Sequence, residues 1–384
     1  MKKEFDRIAE SAPALNVSLN SVIAPEYGRR MDDFNTGDVY IHPRSITINR
    51  DHAYSYTSTF HETSPLYRSL PYAIAHGYTD IPVHPLHVFN IALSLGVQNN
   101  SEKAIANLGY YNIFFQRTVY PGDTIRSMSQ VIDKKDRGDK PGIVHVRTAA
   151  VNQMNEIVLH YERKIMIPPG KSENAVFFPD EKFPELNRTA ILPNFKKCPH
   201  DMTAQTGKDT FFEDFQEGSI LAHRNMRTIT DEHIPWTYKV GNTHPLHYDG
   251  IYASSLSGDM GGKCIVYGGL VFSWLAGLAS RDCTENALWE IGYTEGYHTR
   301  PCFTGDTIGS ITRILKKEEG PFDGTGIIQM QLIGVKNITP ADAIQEYGEN
   351  IFRKEIDKKE KGLNKIENKI FEIERQIIIK KRPA

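Results

Sequence analysis

The strongest constraint on the fold of this 384-residue chain is an internal repeat. Residues 108–127 align with residues 291–310, and eight of the twenty positions are identical at a constant offset of 183 residues. Five further matches keep the same order in both halves, among them SPLYRS with HPLHYD, VFNIALSLG with VFSWLAGLA, and HYERKIMIP with EIERQIIIK. A repeat of this length predicts two sibling units, each of ordinary domain size.

The repeat also divides the chain. We expect an N-terminal unit at residues 1–170, a linker at 171–207 and a C-terminal unit at 208–384. The linker contains four prolines among many charged residues, a composition typical of connecting segments. Residues 354–369 have no counterpart in the first unit, and their charge density predicts a solvated surface insertion.

The composition argues against several classes of protein. The chain is 40% apolar and 24% charged, as globular proteins are, and its net charge of −2 argues against a nucleic-acid partner. Four cysteines without a C-x-x-C pair indicate a reducing compartment and no structural zinc. The N-terminus lacks a signal-peptide core, and the longest apolar run, residues 265–279, is shorter than the roughly 18 residues that suggest a membrane span. We therefore expect a cytoplasmic protein without a membrane partner.

The order of elements predicts an α+β fold. The run IVYGGLVFSWLAGLA is too long and too apolar for a strand, so it predicts a buried helix that begins at Gly268 and Gly269. The segments after it are rich in β-formers, and KIFEIERQIII alternates apolar and charged residues as a half-solvated strand does. One long central helix followed by four or five antiparallel strands predicts a sheet that wraps the helix.

The two units differ at a position where proton transfer can occur. GNTHPLHYD in the second unit aligns with HETSPLYRS in the first, which sets Asn242 opposite Glu62 and His247 opposite Tyr67. Histidine is the side chain best suited to proton transfer near neutral pH. A purely structural histidine is the alternative, but its presence in only one of two siblings favours His247 as a general base.

The glycine pair at the predicted helix start indicates an oxyanion site. Backbone N–H groups at a helix N-terminus lie at the positive end of the helix dipole and can stabilise an oxyanion. The first unit has His84 and Pro85 at these places, and proline has no N–H to donate. Close packing of two helices is the alternative explanation for Gly268 and Gly269.

Other kinds of site lack support in the sequence. Two pairs of histidines are spaced three residues apart, but no further ligands stand at a fitting spacing, so we expect no metal. No G-x-G-x-x-G, Walker or G-x-S-x-G motif is present, which argues against dinucleotide, nucleotide and serine-hydrolase sites. His298 and Arg300 lie on a predicted strand and face either an anionic ligand group or solvent.

The motifs together resemble a known family. GNTHPLHYD, IVYGGLVFSW and RPCFTGDTIGS, in this order, resemble the hydratase motif, the central helix and the following strands of MaoC-like enoyl-CoA hydratases with the hotdog fold. FFEDFQEG, IVYGG and ANLGYYN are similar to segments of mesaconyl-CoA hydratases, also called β-methylmalyl-CoA dehydratases. Because the resemblance covers both units, it implies an α+β fold of two tandem hotdog domains in a pseudo-dimeric double hotdog. The first domain would then be a non-catalytic partner.

The resemblance implies a hydro-lyase. Water would add reversibly across the double bond of a 2-enoyl-CoA thioester, most closely mesaconyl-CoA (2-methylfumaryl-CoA), to give β-methylmalyl-CoA. It implies no cofactor, because coenzyme A is part of the substrate, and it implies a homo-oligomer of double hotdogs. Two alternatives stay open. One is an (R)-specific hydratase of fatty enoyl-CoA with a long apolar tunnel, and the other is a non-catalytic acyl-CoA-binding hotdog protein.

The resemblance also implies roles for individual residues. His247 would be the general base toward water, and the N–H of Gly268, helped by Gly269, would bind the thioester oxygen. The generic hydratases of this fold carry an aspartate where this chain has Asn242. Either Asn242 orients the water for His247, which we favour, or Asp249 supplies the missing carboxylate.

Four residues are candidates for substrate binding. The distal carboxylate of a mesaconyl group needs a cation, and the candidates are Arg300 and its repeat equivalent Arg117. His298, on the same predicted strand segment as Arg300, and Tyr267, next to the glycine pair, complete the set.

Overall fold

The computed structural model describes residues 27–172, 182–196, 200–207, 209–256, 261–358 and 362–383. The first half of the chain contains β1 (Val39–Ile41), β2 (Ile46–Thr47), α1 (Arg50–Thr59), α2 (Leu70–Ala75), α3 (Pro85–Leu95), β3 (Ala106–Phe115), β4 (Thr124–Arg137), β5 (Lys140–Val151) and β6 (Ile157–Ile167). The second half contains β7 (Ile220–Thr228), α4 (His233–Lys239), α5 (Gly250–Ser255), α6 (Gly268–Cys283), β8 (Ala287–His298), β9 (Thr307–Glu319), β10 (Thr325–Lys336), α7 (Pro340–Tyr347), α8 (Glu355–Lys358) and β11 (Lys369–Lys380). Across these residues the eleven strands form one antiparallel sheet in the order β1-β4-β5-β6-β3-β8-β11-β10-β9-β7, with β2 paired to β4.

Two helices form the centre of the two units. Helix α3 packs on β4 and β5, and helix α6 packs on β7, β9 and β10. Every residue from Leu86 to Leu95 and from Gly269 to Ser280 is buried, as is typical of a helix that is apolar on all sides. The structure therefore confirms the prediction of a buried helix that begins at Gly268 and is followed by antiparallel strands.

The two units are joined through both the sheet and the helices. Strands β3 and β8 pair side by side, and a Cβ on Gly292 at this seam would lie 2.0 Å from the carbonyl oxygen of Ile113, so only glycine fits. The side-chain amide of Asn90 on α3 donates to the carbonyl of Gly269 on α6 at 3.2 Å. One hydrophobic core thus spans both units, which is the arrangement of a double hotdog.

The charged segment at residues 354–369 corrects one expectation. Its predicted solvation is wrong for Glu355, Lys358 and Lys369, which are only 3%, 1% and 0% exposed. Lys358 pairs with Glu355 at 2.5 Å, and Lys369 pairs with Glu372 of β11 at 2.7 Å. Buried charges are tolerated when each has a partner of opposite sign, so three of the charges of this segment belong to internal ion pairs. Residues 359–361 lie outside the described ranges.

Residues 182–196 of the expected linker run as irregular chain along the first unit, and residues His200–Gln205 form a 3-10 helix. The amide of Ile191 donates to the carbonyl of Gln116 at 2.7 Å, and a Cβ on Gly77 would lie 2.0 Å from the carbonyl oxygen of Asn194. Residues 173–181 and 197–199 of this segment fall outside the described ranges. None of the helices in those ranges combines the length and the apolar character needed to cross a bilayer.

Candidate active site

A cavity of about 280 Å³ lies at the seam between the two units, and we call it the large cavity. The second unit lines it with the turn at residues 242–247, the start of α6 and the end of β8. The first unit lines it with α3, β3 and β6. A ligand bound here would therefore touch both halves of the chain.

The turn that carries His247 is fixed by its neighbour His244. Residues Pro245–His247 form a 3-10 helix, and Nδ1 of His244 accepts the N–H of Leu246 at 3.2 Å. Nε2 of His244 lies 3.1 Å from the carbonyl of Ala104 in the first unit and donates to it. Both ring nitrogens of His244 are thus engaged, so this histidine positions the turn.

His247 lines the large cavity as a neutral imidazole. Its Nδ1 lies 2.9 Å from the carbonyl oxygen of Ile265, which can only accept, so Nδ1 carries the hydrogen and Nε2 has the lone pair. Burial, with the neighbouring His244 as a second cause, lowers the pKa of His247 to about 3. A neutral ring with its lone pair on Nε2 is the form that a general base requires.

The two glycines at the start of α6 have different surroundings. The first bonds of the helix run from the amides of Leu270 and Val271 to the carbonyl of Tyr267, so the amides of Gly268 and Gly269 precede the first bonded donor. Gly268 lines the large cavity. Its free N–H is therefore in position to meet an oxygen of a bound ligand.

The space beside each of the two glycines is occupied by a different neighbour. A Cβ on Gly268 would lie 2.6 Å from Nε2 of His298, whereas a Cβ on Gly269 would lie 1.9 Å from Oδ1 of Asn90 on α3. Gly269 does not line the large cavity. The close helix packing considered for both glycines thus explains Gly269, and only Gly268 faces the site.

Asn242 lines the large cavity, but Asp249 does not. Oδ1 of Asn242, which is 1% exposed, accepts the N–H of His244 at 2.9 Å, so Nδ2 is the donor left for a ligand or water. Oδ1 of Asp249 accepts the amides of Ile251 and Tyr252 at 2.9 and 3.0 Å and caps α5. These contacts argue against the alternative in which Asp249 supplies the missing carboxylate.

The two arginines proposed as cations lie in different places. Arg300 lines the large cavity and forms an ion pair with Glu367. Arg117 does not line it, and pairs with Glu156 at 3.1 Å in the first unit. The structure thus corrects the assignment of Arg117 to the same site. Within the described ranges, no cluster of three or more His, Cys, Asp or Glu side chains is arranged to hold a metal ion.

His298 and Tyr267 both line the large cavity, as does Tyr110 of β3. Nε2 of His298 lies 3.2 Å from the hydroxyl of Tyr110, and burial lowers the pKa of His298 to about 4. The hydroxyl of Tyr267 accepts from Ser94 at 3.5 Å, and burial raises the pKa of this phenol well above its usual range. These groups are neutral at physiological pH and present hydrogen-bonding atoms to the cavity.

Sequence reasoning missed two residues of the first unit that line the same cavity, Arg163 on β6 and Asn107 on β3. Arg163 is 3% exposed, and its Nη2 donates to the Ser101 hydroxyl at 3.0 Å. The signal was present in the repeat, because HYERKIMIP aligns with EIERQIIIK and sets Arg163 opposite Arg375.

A second cavity of about 30 Å³ occupies the equivalent place in the first unit, and we call it the small cavity. Its lining corresponds to that of the large cavity position by position: Tyr67 to His247, Pro85 to Gly268, Phe115 to His298, Arg117 to Arg300 and Glu290 to Asn107. The N-caps of α3 and α6 are His84 and Tyr267, so Pro85 corresponds to Gly268, which corrects the sequence alignment by one residue. The small cavity therefore has a phenol in place of the imidazole and a proline in place of the donating amide.

Comparisons with known proteins point to one family. The sequence model of the mesaconyl-CoA hydratase family matches residues 10–337 of the chain. The β-methylmalyl-CoA dehydratase of Chloroflexus aurantiacus is 33% identical over 297 residues, which cover 76% of this chain and 83% of that protein.

Solved structures support the expected fold. A MaoC domain protein dehydratase from Chloroflexus aurantiacus, at 27% identity, superposes with a TM-score of 0.79 over 94% of this chain and 100% of that one. A Mycobacterium tuberculosis protein with a double hotdog fold, at 17% identity, superposes with a TM-score of 0.69 over 91% of this chain and 98% of that one. The expected MaoC-like double hotdog is thus confirmed. The chain belongs to the mesaconyl-CoA hydratase family.

Proposed function

We propose that this protein catalyses the reversible hydration of mesaconyl-CoA to β-methylmalyl-CoA in the large cavity. The observation that carries the proposal is the state of His247. Its Nδ1 is committed to the Ile265 carbonyl, so Nε2 is an unprotonated base in the cavity that the Gly268 amide also lines. The names of the matching family and of its relatives describe this reaction in its two directions.

The proposed reaction uses a base and an oxyanion donor. The oxygen of a water attacks the β-carbon of the enoyl thioester while Nε2 of His247 takes a proton from that water. The displaced π electrons move onto the thioester oxygen, which the N–H of Gly268 stabilises, and the α-carbon then receives a proton from the imidazolium. General-base catalysis contributes about 10²–10⁴ in rate, and one oxyanion donor contributes about 10²–10³.

Asn242 orients the water in this proposal. With Oδ1 engaged by the His244 amide, Nδ2 donates to the water oxygen and leaves the protons of the water free for His247. An asparagine can neither take nor give the proton, so the reaction has one base. The free N–H of Gly268 and the lone pair of His247 then lie on the walls of the same cavity.

The units divide the work in this proposal. The C-terminal unit at residues 208–384 supplies the base and the oxyanion donor, and the N-terminal unit at residues 1–170 supplies a wall of the cavity without its own chemistry. In the small cavity, Tyr67 and Pro85 replace the two chemical groups. The segment at residues 171–207 connects the units.

The lining of the cavity supports a short polar acyl group over a fatty one. Arg163 brings a charged group to the cavity lining, and its buried Nε has no hydrogen-bond partner among the described residues, so an alkyl tail would bury it without compensation. A short dicarboxylic acyl group such as mesaconyl instead pairs with such groups. This observation disfavours a long apolar tunnel.

The test compares mesaconyl-CoA with crotonyl-CoA by the loss of enoyl-thioester absorbance. We expect wild-type protein to hydrate mesaconyl-CoA, and His247→Ala to lower kcat/KM by at least about 10². Tyr67→Phe, at the equivalent position of the small cavity, is the matched control and should leave the rate unchanged. Full activity of His247→Ala, or hydration of crotonyl-CoA alone, would contradict the proposal.

A further inference from the structure

We infer that Arg163 binds a carboxylate on the β-carbon of the acyl group, and that Asn107 keeps this arginine available for the substrate. The inference rests on the proposed function and adds the residues that select the acyl chain. It also moves the expected cation from the end of β8, where Arg300 lies, to the sheet of the first unit.

The chemistry of the substrate sets where the cation must be. In mesaconyl-CoA the distal carboxylate is attached to the carbon that receives the water. The group that pairs with this carboxylate must therefore share a cavity with the base. Arg163 meets this requirement, since it lines the large cavity together with His247 and Gly268.

Among the residues that the structure describes, none pairs an anionic group with Arg163. The residue is 3% exposed, its Nη2 donates to the neutral hydroxyl of Ser101, and its Nε has no hydrogen-bond partner among the described residues. Tyr110 and Tyr267, which line the same cavity, are also neutral. A buried guanidinium is unfavourable unless a negative charge accompanies it, so this site is built for an anionic ligand.

The repeat shows what the equivalent arginine does. In the sheet, Arg163 on β6 stands opposite Tyr110 on β3, and Arg375 on β11 stands opposite Tyr293 on β8. The same register sets Asn107 opposite Ile165 and Glu290 opposite Ile377. Arg163 and Asn107, which line the large cavity, therefore correspond to Arg375 and Glu290, of which Glu290 lines the small cavity.

In the equivalent pair, the arginine is already neutralised by a carboxylate of the protein. Arg375 and Glu290 form a two-point ion pair with Nε 3.2 Å from Oε1, and their side chains are 5% and 7% exposed. Glu290 thus holds a carboxylate against Arg375 inside the small cavity. At the equivalent position of the large cavity the chain has Asn107, a neutral amide, so the carboxylate that Arg163 lacks can come from the substrate.

Arg300 has a different environment. Its side chain is 25% exposed and forms an ion pair with Glu367, which is 79% exposed. An arginine in contact with solvent and paired with a carboxylate of the protein discriminates weakly between charged and uncharged acyl groups. The buried Arg163 is the stronger selector.

The binding experiment uses succinyl-CoA and butyryl-CoA, measured by calorimetry. Both are saturated and cannot be hydrated, and they differ by a carboxylate on the β-carbon. We expect wild-type protein to bind succinyl-CoA about 10- to 100-fold more tightly than butyryl-CoA, and Arg163→Gln to abolish this preference. Arg117→Gln, the equivalent of Arg300 in the first unit, is the control and should retain it.

The kinetic experiment gives Arg163 a carboxylate partner within the protein, as Glu290 is the partner of Arg375. Asn107→Glu should pair with Arg163, lowering kcat/KM for mesaconyl-CoA about 10²-fold and kcat/KM for crotonyl-CoA less than tenfold. A preference for succinyl-CoA that survives in Arg163→Gln, or that only Arg300→Gln removes, would overturn the inference. If wild-type protein hydrates neither substrate but shows the Arg163-dependent preference, the proposed function fails and the inference stands.

Discussion

Replacing each of the two equivalent arginines by methionine should change stability in different ways. Arg375 is one partner of a buried ion pair, so Arg375→Met leaves the carboxylate of Glu290 buried without its cation. Removing one partner of a buried pair costs about 3–5 kcal/mol. We expect the free energy of unfolding of Arg375→Met to fall by about this amount.

Arg163 leads to the opposite expectation. Its guanidinium donates to the neutral Ser101, and Arg163→Met therefore removes a buried charge without leaving an anion behind. Methionine is flexible enough to fill the vacated space. We expect the free energy of unfolding to change by less than about 1 kcal/mol, or to rise, because the desolvation cost of the charge disappears.

Urea unfolding of ligand-free protein, followed by tryptophan fluorescence at neutral pH, measures both changes. The double variant Arg375→Met with Glu290→Leu removes both charges of this buried ion pair and should recover most of the loss seen in Arg375→Met alone. If Arg163→Met costs as much as Arg375→Met, the charge of Arg163 is neutralised within the protein. The asymmetry between the two cavities would then have no energetic basis.

Three further predictions concern the oxyanion donor, the general base and the stability of the fold at acidic pH. Gly268→Pro and Gly268→Ala both add a Cβ beside His298, but only proline removes the N–H, so kcat of the proline variant should be about 10²–10³ lower than that of the alanine variant in steady-state hydration. Because the pKa of His247 is about 3, kcat/KM should show no acidic limb near pH 6.5, and a half-maximal rate at that pH would contradict a neutral base. His42 is 3% exposed, and burial, followed by the charges of Arg163 and Arg29, lowers its pKa to about 3. Between this pKa and the ordinary histidine pKa of about 6.5, the unfolded chain binds a proton at His42 that the folded chain does not. The free energy of unfolding should therefore be at its full value above about pH 6.5 and fall toward pH 3, by about 1.4 kcal/mol per pH unit at most. Urea titrations of His42→Gln should show a shallower fall.

The helix of the site was predictable because its signal is local. The run around Gly268 is apolar on all sides and begins with two glycines, which indicates a buried helix without knowledge of any contact. The difference between His247 and Tyr67 was equally visible, since the repeat supplies its own reference sequence. These features depend on periodicity and on comparison within one chain.

Features that depend on partners far along the chain were not predictable. Nothing in the order of residues shows that Asn90 fills the space beside Gly269, or that Asp249 caps a helix and turns away from the site. The ion pairs of residues 354–369 were not predicted for the same reason. A charged sequence looks the same whether its side chains end up in solvent or in buried ion pairs, and only the fold distinguishes the two. The repeat pairs Arg163 with Arg375 in the sequence, but only the fold shows that Arg163 lines the large cavity.

Each unit contributes residues to the cavity at the helix start of the other unit. This arrangement restricts which substitutions in the first unit leave the large cavity unchanged. Each cavity takes its helix start from one unit and strand residues from the other: α6 with β3 and β6 for the large cavity, α3 with β8 for the small one. Tyr67 and Pro85 line the small cavity and not the large one, whereas Asn107 and Arg163 line the large one from the first unit. Substitutions at the helix start of the first unit should therefore leave the large cavity intact, whereas substitutions on β3 and β6 should alter it.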